Sequence, residues 1–262
     1  MRLSVSNIAW AENNAERVYY ILRELGFSGI EIAPTRLWKE KPYSHLREAQ
    51  LYRNFLKDKY GLAIVSMQSI WFGRNEKIWG SKEEREVLIR YTKSAIEFAE
   101  AIGCSNLVFG CPRNRVIPLN GQESIAIDFF REVGEYAAKH NVIIALEANP
   151  AIYNTNFMNK TEEAFRIAKS VGSNGCKVNL DFGTVIENAE SLDIVQKNIG
   201  YINHVHISEP GLKVIQRRAE HEELRDILVK NEYSGFVSIE MGNGIGVDDL
   251  FKTMKYVKDL FS

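Results

Sequence analysis

Short apolar runs and amphipathic segments alternate along the whole chain. The runs are rich in Val, Ile and aromatic residues and are too short for helices, which favours β-strands. Eight such runs lie at residues 3–10, 29–34, 62–71, 106–112, 142–150, 177–184, 202–209 and 236–242. Between them, apolar residues recur every three or four positions, as in VYYILREL, a spacing typical of an amphipathic helix. The pattern therefore predicts eight strands that alternate with helices.

Several predicted helices are bounded by residues that favour helix ends. Glycine readily adopts the left-handed conformation in which a helix often stops. Glycines of this kind precede the strands at Gly26, Gly61, Gly103, Gly172 and Gly200. Two helices are predicted to begin at a capping side chain, Ser81 and Thr161, because acidic residues follow each of them within the first turn.

Strands that alternate with helices of this length form parallel βαβ units. At 262 residues, with no break in composition, the chain has the size of one (β/α)8 barrel. The rival fold is a doubly wound sheet, which usually has a glycine-rich first turn, but the first turn here reads SNIAWAENN. The prediction is a TIM barrel in the α/β class, with residues 1–262 forming a single domain.

Four residues whose side chains can bind metals lie near the carboxyl ends of the last four of the eight apolar runs. They are Glu147, Asp181, His206 and Glu240. In a barrel, these strand ends meet at the mouth that carries the chemistry. Three carboxylates and one imidazole suit one octahedral divalent ion, best Mn²⁺, with Mg, Co or Zn as alternatives. His204 shares a strand face with His206 but lies deeper, so it is predicted to be a hydrogen-bonded histidine of the barrel interior.

The composition limits the partners and the compartment. Lys and Arg number 33 against 34 Asp and Glu, so the net charge of −1 gives no electrostatic reason to expect nucleic acid or a membrane surface as partner. Three widely spaced cysteines, a start without signal-peptide character and the lack of a membrane-length apolar run predict a cytoplasmic protein. A small carbohydrate is the expected partner, and assembly into a homo-oligomer stays open.

Four motifs resemble those of the xylose isomerase-like TIM-barrel superfamily, which includes sugar isomerases, ketose 3-epimerases, dehydratases and endonuclease IV. The motifs are LEANP (146–150), NLDFGT (179–184), HVHISEP (204–210) and YSGFVSIEM (233–241). The resemblance to the ketose 3-epimerases implies that the four residues above bind the metal, and that Glu147 and Glu240 act as an acid–base pair on opposite faces of the substrate. It implies a metal-dependent sugar isomerase or epimerase that abstracts a proton next to a carbonyl.

Three positions depart from the 3-epimerase pattern. Thr184 replaces a histidine that binds substrate hydroxyls, Leu212 replaces an arginine, and Tyr153 replaces a glutamate. The metal ligands are retained while these three positions differ. A sugar derivative is therefore a better prediction for the substrate than a free ketose.

Further residues on the mouth side are candidates for substrate contacts. Some end strands and can bond sugar hydroxyls, whereas the cations of the loops can hold a phosphate or carboxylate, which predicts an anionic sugar or cyclitol derivative. The candidates are Glu31, Gln68, Asn149, Tyr153, Glu209, Lys213, Arg113, Arg115 and His221.

Other functions are compatible with parts of the same pattern. A metal-dependent dehydratase of a keto-cyclitol or sugar acid would begin with the same proton abstraction. A non-catalytic sugar-binding barrel would bind a keto sugar without exchanging its C–H proton. Endonuclease IV-type DNA repair is disfavoured, because that enzyme needs additional histidines for three zinc ions, whereas this chain has five histidines in all and no basic excess.

Overall fold

Eight parallel strands close into a barrel, as the alternating pattern predicts. The computed structural model describes residues 1–262. The strands are β1 (Arg2–Ser6), β2 (Gly29–Ile32), β3 (Ala63–Met67), β4 (Asn106–Phe109), β5 (Ile143–Glu147), β6 (Cys176–Asp181), β7 (Ile202–Ile207) and β8 (Phe236–Ile239). Each strand pairs with its neighbours in sequence, and β8 pairs with β1. The predicted TIM barrel is therefore confirmed.

Nine helices occupy the connections and the C-terminus, outside the barrel. They are α1 (Ala15–Glu24), α2 (Leu46–Tyr60), α3 (Lys82–Ile102), α4 (Glu123–Lys139), α5 (Thr161–Val171), α6 (Phe182–Glu187), α7 (Asp193–Lys197), α8 (Ala219–Lys230) and α9 (Val247–Phe261). Two short helices, α6 and α7, stand between β6 and β7, where most connections have one longer helix. None of the helices combines the length and the apolar character needed to cross a membrane.

The strands end earlier than the apolar runs suggest. β3 ends at Met67 instead of residue 71, shortly before Ser69 takes a positive φ of 53°. Residues 182–184, which the sequence assigns to the sixth strand, form the start of α6. Ile70 and Trp71 beyond β3 and Phe182 beyond β6 are buried like the strand residues before them, so hydrophobicity alone does not mark the end of the backbone ladder.

Most of the predicted helix ends are correct. Gly26, Gly61, Gly103 and Gly172 have φ values between 67° and 77°, the left-handed conformation that glycine favours. The prediction that Gly200 ends a helix in this conformation is wrong. Gly200 lies inside a single 3₁₀ turn, Ile199–Tyr201, and has no positive φ.

The two predicted capping residues behave differently. The Ser81 hydroxyl accepts a hydrogen bond from the Glu84 N–H at 3.2 Å, and the Glu84 carboxylate accepts one from the Ser81 N–H at 2.8 Å. This reciprocal pair confirms Ser81 as the cap of α3. Thr161 is not a cap but the first helical residue of α5. The Glu163 carboxylate there accepts hydrogen bonds from the backbone at residues 159 and 160.

The interior of the barrel is unusually polar. Barrels of this type are commonly filled by layers of branched apolar side chains. Here the buried polar residues on the strands include Ser4, Ser6, Glu31, Ser66, Asn106, Asn179, His204, His206 and Ser238. The apolar core lies instead between the barrel and its helices, where Ile30 and Ile32 of β2 are fully buried. Buried polar side chains therefore fill the barrel interior up to its C-terminal mouth.

Two register shifts set the level of the inward-facing side chains. Between β2 and β3, Ile30 pairs with Ile64 but Glu31 pairs with Ser66, so that residue 65 is extra. Between β6 and β7, Val178 pairs with Ile202 but Asn179 pairs with His204, so that residue 203 is extra. Irregularities of this kind are common next to active sites, because they redirect side chains.

Candidate metal centre

Four of the inward-facing residues converge at the C-terminal end of the barrel. Glu147 and Asp181 are the last residues of β5 and β6, His206 lies near the end of β7, and Glu240 directly follows β8. Asp181 is level with His206 in the sheet because of the extra residue in β7. One ligand atom from each of the four residues lies within 4.8 Å of the others. These residues are thus close enough to hold a metal ion together.

The charge of this cluster also fits a divalent cation. All three carboxylates are only 8% exposed. Burial, with repulsion from Glu147 as a smaller cause, raises the pKa of Asp181 to about 6 and that of Glu240 to about 7. His206 opposes these shifts. A cation between the carboxylates would remove their repulsion, and oxygen ligands with one imidazole suit a hard or borderline divalent ion.

His206 presents one ring nitrogen to the cluster and the other to Glu31. Its Nδ1 lies 3.2 Å from Glu147 Oε1 and 3.3 Å from Glu240 Oε2. Its Nε2 lies 2.9 Å from Glu31 Oε2. Burial alone would lower the pKa of His206, but Glu31 and Glu240 raise it well above its usual value. Nδ1 is therefore the nitrogen that could bind an ion.

The carboxylates of the cluster are oriented by neutral donors. Asp181 accepts hydrogen bonds from the Ser208 hydroxyl and from both the backbone and the hydroxyl of Thr184, the latter two at 2.8 Å. Glu147 accepts hydrogen bonds from the Asn179 amide at 2.7 Å and from the Asn149 amide at 3.0 Å. These bonds limit how far the two carboxylates can rotate.

A cavity of about 150 Å³ opens next to the cluster. Three of the four cluster residues, Glu147, Asp181 and Glu240, line it, and His206 lies below them with no exposed surface. The other lining residues are Gln68, Ser69, Val108, Gly110, Cys111, Pro112, Asn149, Tyr153, Ser208, Glu209 and Leu212. The four-residue cluster and the cavity form one site.

The family can be decided from the whole sequence. The profile of the family described as "Xylose isomerase-like TIM barrel" matches residues 19–259. The chain belongs to this family. Among curated proteins, none has a significantly matching sequence.

Solved structures similar to this xylose isomerase-like barrel include several sugar epimerases. A D-psicose 3-epimerase from Clostridium cellulolyticum H10, solved with D-tagatose, has a TM-score of 0.81 and 17% identity, covering 100% of this chain and 98% of that one. A 3-keto-D-glucoside 4-epimerase from E. coli has a TM-score of 0.79 and 19% identity, with 99% of both chains covered. At these identities the likeness establishes the fold.

A dehydratase is also among the similar structures. The probable 3-DHS dehydratase from Bacillus anthracis, involved in petrobactin synthesis, has a TM-score of 0.70 and 19% identity and covers 98% of both chains. Structural neighbours of this barrel therefore include both epimerases and a dehydratase.

Four of the predicted substrate contacts line the cavity of this xylose isomerase-like barrel, and they differ in their freedom to bind. They are Gln68, Asn149, Tyr153 and Glu209. Glu209 is held by a paired hydrogen bond from Arg218, at 2.6 and 2.8 Å. The Tyr153 hydroxyl accepts a hydrogen bond from the Gly211 N–H at 2.9 Å, so its own proton can be donated. Burial and the nearby carboxylates raise the pKa of Tyr153 to about 12, which keeps it neutral.

The other five candidates lie outside the cavity. Arg113 and Lys213 are exposed on loops. Glu31 lies in the barrel interior below His206. His221 is buried in α8 between Phe182 and Tyr256, whose hydroxyl lies 2.9 Å from its Nδ1. None of these four lines the cavity beside the four-residue cluster.

Arg115, the fifth candidate outside the cavity, is fully buried although it lies on a loop after β4. One guanidinium nitrogen donates to the backbone carbonyl of Glu147 at 2.9 Å, and the other donates to the Asn149 side chain at 2.7 Å. Burial lowers the pKa of Arg115 to about 10, so it stays charged at neutral pH. Arg115 thus braces the end of β5 and is neither a cavity-lining cation nor a solvated loop residue.

The site contains residues that the sequence pattern did not single out. Asn179 lies two positions before Asp181 on the same strand face, so period-two alternation could have indicated it. Gly110 approaches Glu147 so closely that a Cβ there would lie 2.6 Å from Oε2. Arg218 is nine positions from its partner Glu209, and no local spacing signals that pair.

A second and larger cavity, of about 560 Å³, lies at the N-terminal end of the barrel. Its lining includes Arg2, Lys177 and Glu232, but none of the carboxylates that surround His206 Nδ1. Cavity size alone would therefore point away from the four-residue cluster. The smaller cavity is the better candidate for a functional site, because the carboxylates of Glu147, Asp181 and Glu240 converge in its walls.

Proposed function

We propose that this protein is a divalent-metal-dependent isomerase or epimerase that moves a proton at a carbon next to the carbonyl of a carbohydrate. The observation that carries the proposal is the convergence of Glu147, Asp181, Glu240 and His206 Nδ1 beside a cavity at the mouth of the barrel. The four residues would hold one ion, and manganese is the best match to their oxygen-rich set. Such an ion would polarise a carbonyl and acidify the neighbouring C–H.

The positions of the two glutamates support a role for them in proton transfer. Glu147 and Glu240 come from β5 and β8, so Asp181 and His206 on the two intervening strands lie between them. Both line the cavity and can therefore approach a substrate from different sides. One carboxylate can accept the proton from carbon, and the other can supply a proton to the opposite face.

The charges around the cavity favour a neutral substrate over an anionic one. Its walls carry four carboxylates and no cationic side chain. Arg218 is already paired with Glu209, and the proposed divalent ion would offset two further negative charges, which leaves no excess of positive charge for an anionic substrate. The three cations that suggested an anionic substrate, Arg113, Arg115 and Lys213, do not line the cavity. An uncharged keto sugar or glycoside avoids repulsion by the carboxylates and can receive a hydrogen bond from the Tyr153 hydroxyl.

Removal of a carboxylate ligand should release the metal. We expect Glu147→Ala and Asp181→Ala each to weaken Mn²⁺ binding by about 100-fold or more. Substitution of a residue that only hydrogen-bonds to a metal ligand already lowers metal affinity by about 10–100-fold. Metal analysis after saturation and desalting measures this loss. Glu232→Ala, at the opposite end of the barrel, is the control and should retain the ion. Full retention of Mn²⁺ by both ligand variants would refute the assigned metal site.

Metal-dependent C–H exchange tests the proposed reaction directly. The Mn²⁺-loaded protein is incubated in deuterium oxide with neutral ketoses, keto-glycosides, sugar phosphates and keto-cyclitols, and deuterium uptake is followed by NMR. We expect uptake into a neutral keto compound, with an isomeric product, and none after the metal is removed. Binding of such compounds without any exchange would instead identify a non-catalytic sugar-binding barrel.

The same experiment separates a dehydratase from an isomerase. The likeness to a dehydratase keeps elimination as the second candidate, since both reactions begin with removal of a proton next to a carbonyl. A dehydratase product has lost one water, whereas an epimer keeps the mass of the substrate apart from the incorporated deuterium. Mass spectrometry of the product distinguishes the two.

A further inference from the structure

Glu31 is a fully buried carboxylate with no access to the cavity. Its Oε1 accepts a hydrogen bond from the Gln68 amide at 3.0 Å. Its Oε2 accepts one from the Ser66 hydroxyl at 2.6 Å and lies 2.9 Å from His206 Nε2. Both oxygens are therefore engaged within the barrel, and a substrate hydroxyl could not reach either of them.

The contact with Glu31 determines which nitrogen of His206 carries a proton. An ionised carboxylate only accepts hydrogen bonds, so the 2.9 Å contact requires a proton on Nε2. Nε2 would keep its own proton when an ion binds, and the ion would displace any proton held at the other nitrogen, since a ligating imidazole is neutral. That nitrogen, Nδ1, faces Glu147 and Glu240 at 3.2 and 3.3 Å. The ring is thus oriented with its metal-binding atom towards the cluster.

We propose that Glu31 is a positioning residue for the metal centre: it accepts the Nε2 proton of His206 and so holds Nδ1 ready to bind the ion. This inference rests on the proposed metal site. Histidine ligands commonly donate their second N–H to a carboxylate, which fixes the tautomer and makes the ligating nitrogen more basic. Glu31 would act on the ion only through His206.

The backbone and three further side chains keep Glu31 in place. The register shift at residue 65 brings Ser66 level with Glu31. The Ser66 hydroxyl is itself held by the Asn106 amide at 2.9 Å, and Asn106 accepts a hydrogen bond from Asn203 at 2.7 Å. Asn203 is the extra residue of β7, three positions before His206. The histidine and its carboxylate partner are thus connected twice, by direct contact and through this chain of hydrogen bonds.

His204 does not compete for the same role. Its Nε2 lies 3.7 Å from Glu31 Oε2, beyond hydrogen-bond distance, and this nitrogen has no hydrogen-bond partner. His204 also lies deeper in the barrel than His206 and lines the cavity at the N-terminal end. Glu31 therefore forms its histidine hydrogen bond with the residue that belongs to the cluster.

Titration of Mn²⁺ into Glu31→Gln tests the proposal. The amide is close in shape to the carboxylate but has no charge, so we expect Mn²⁺ affinity to fall by about 10–100-fold, as for other outer partners of histidine ligands. Ser4→Ala is the matched control, since Ser4 is a buried residue of the barrel interior whose hydroxyl has no hydrogen-bond partner. Its affinity should equal that of the wild type. A Glu31→Gln affinity within twofold of the wild type would overturn the role.

NMR of the wild-type protein tests the same point without a substitution. In protein labelled with ¹⁵N-histidine and loaded with Zn²⁺, the proton of His206 is expected on Nε2, with Nδ1 bound to the ion. A proton on Nδ1 would overturn the proposal even if Glu31→Gln failed to fold. Absence of any metal binding by the wild type would overturn the metal centre as well, whereas normal binding with the proton on Nδ1 would remove only the role of Glu31.

Discussion

Metal-loaded Glu240→Gln should exchange substrate protons about 100- to 10,000-fold more slowly than the wild type, the range that a positioned general acid or base usually contributes. Glutamine keeps a carbonyl oxygen that can bind the ion, but its amide cannot accept a proton at neutral pH. The ion should therefore remain while turnover is lost. Rates of deuterium exchange, measured at saturating Mn²⁺ and with the bound metal counted, separate these two effects.

Glu209→Gln is the matched control for this variant. Glu209 lines the same cavity, but its two oxygens are occupied by Arg218 and by the backbone N–H of Gln216. The same change of carboxylate to amide there should slow exchange by less than about tenfold, because it removes no general acid or base. Equal losses in the two variants, or a wild-type rate for metal-loaded Glu240→Gln, would exclude Glu240 from proton transfer.

Arg115→Met should destabilise the protein by roughly 3–6 kcal/mol, because Arg115 makes two buried hydrogen bonds and a hydrogen bond to a charged group contributes about 1.5–3 kcal/mol. Methionine fills part of the volume but leaves the Glu147 carbonyl and the Asn149 side chain without their donor. The free energy of unfolding in urea measures the change.

Arg113→Met provides the comparison for stability. Arg113 is exposed on the same loop, so its substitution should change the free energy of unfolding by no more than about 0.5 kcal/mol. Similar values for the two variants would show that the buried bonds of Arg115 contribute little. A stable Arg115→Met protein with weakened metal binding would instead indicate that Arg115 acts mainly by orienting Glu147.

The fold could be predicted from sequence because its signals are local and repeated. Strand and helix periods alternate eight times, and four helices end at glycines with positive φ. The convergence of Glu147, Asp181, His206 and Glu240 also followed from the pattern, since parallel strands of a barrel bring their carboxyl ends to one mouth. The structure places these four residues together as expected.

The surroundings of the cluster could not be predicted in the same way. Arg113 and Arg115 are two residues apart on one loop, yet one is exposed and the other is fully buried against Glu147 and Asn149. The pairing of Glu31 with His206 joins residues 175 positions apart. Such contacts depend on loop conformation and strand register, and neither leaves a periodic trace in the sequence.

The extra residue in β7 has a consequence for insertions and deletions. Residue 203 has no partner of its own in β6, whereas Ile202 and His204 on either side of it pair with Val178 and Asn179. Its loss would therefore leave His206 level with Asp181, at the cost of the hydrogen bond that Asn203 donates to Asn106. A residue inserted between His204 and His206 would instead move His206 by about 3.3 Å along the strand, and a shift of one position turns a side chain to the opposite face of a sheet. All four cluster residues would still be encoded, yet the cluster could not assemble. Beyond the extra residue, the length of the strand is as essential to the site as the identity of its residues.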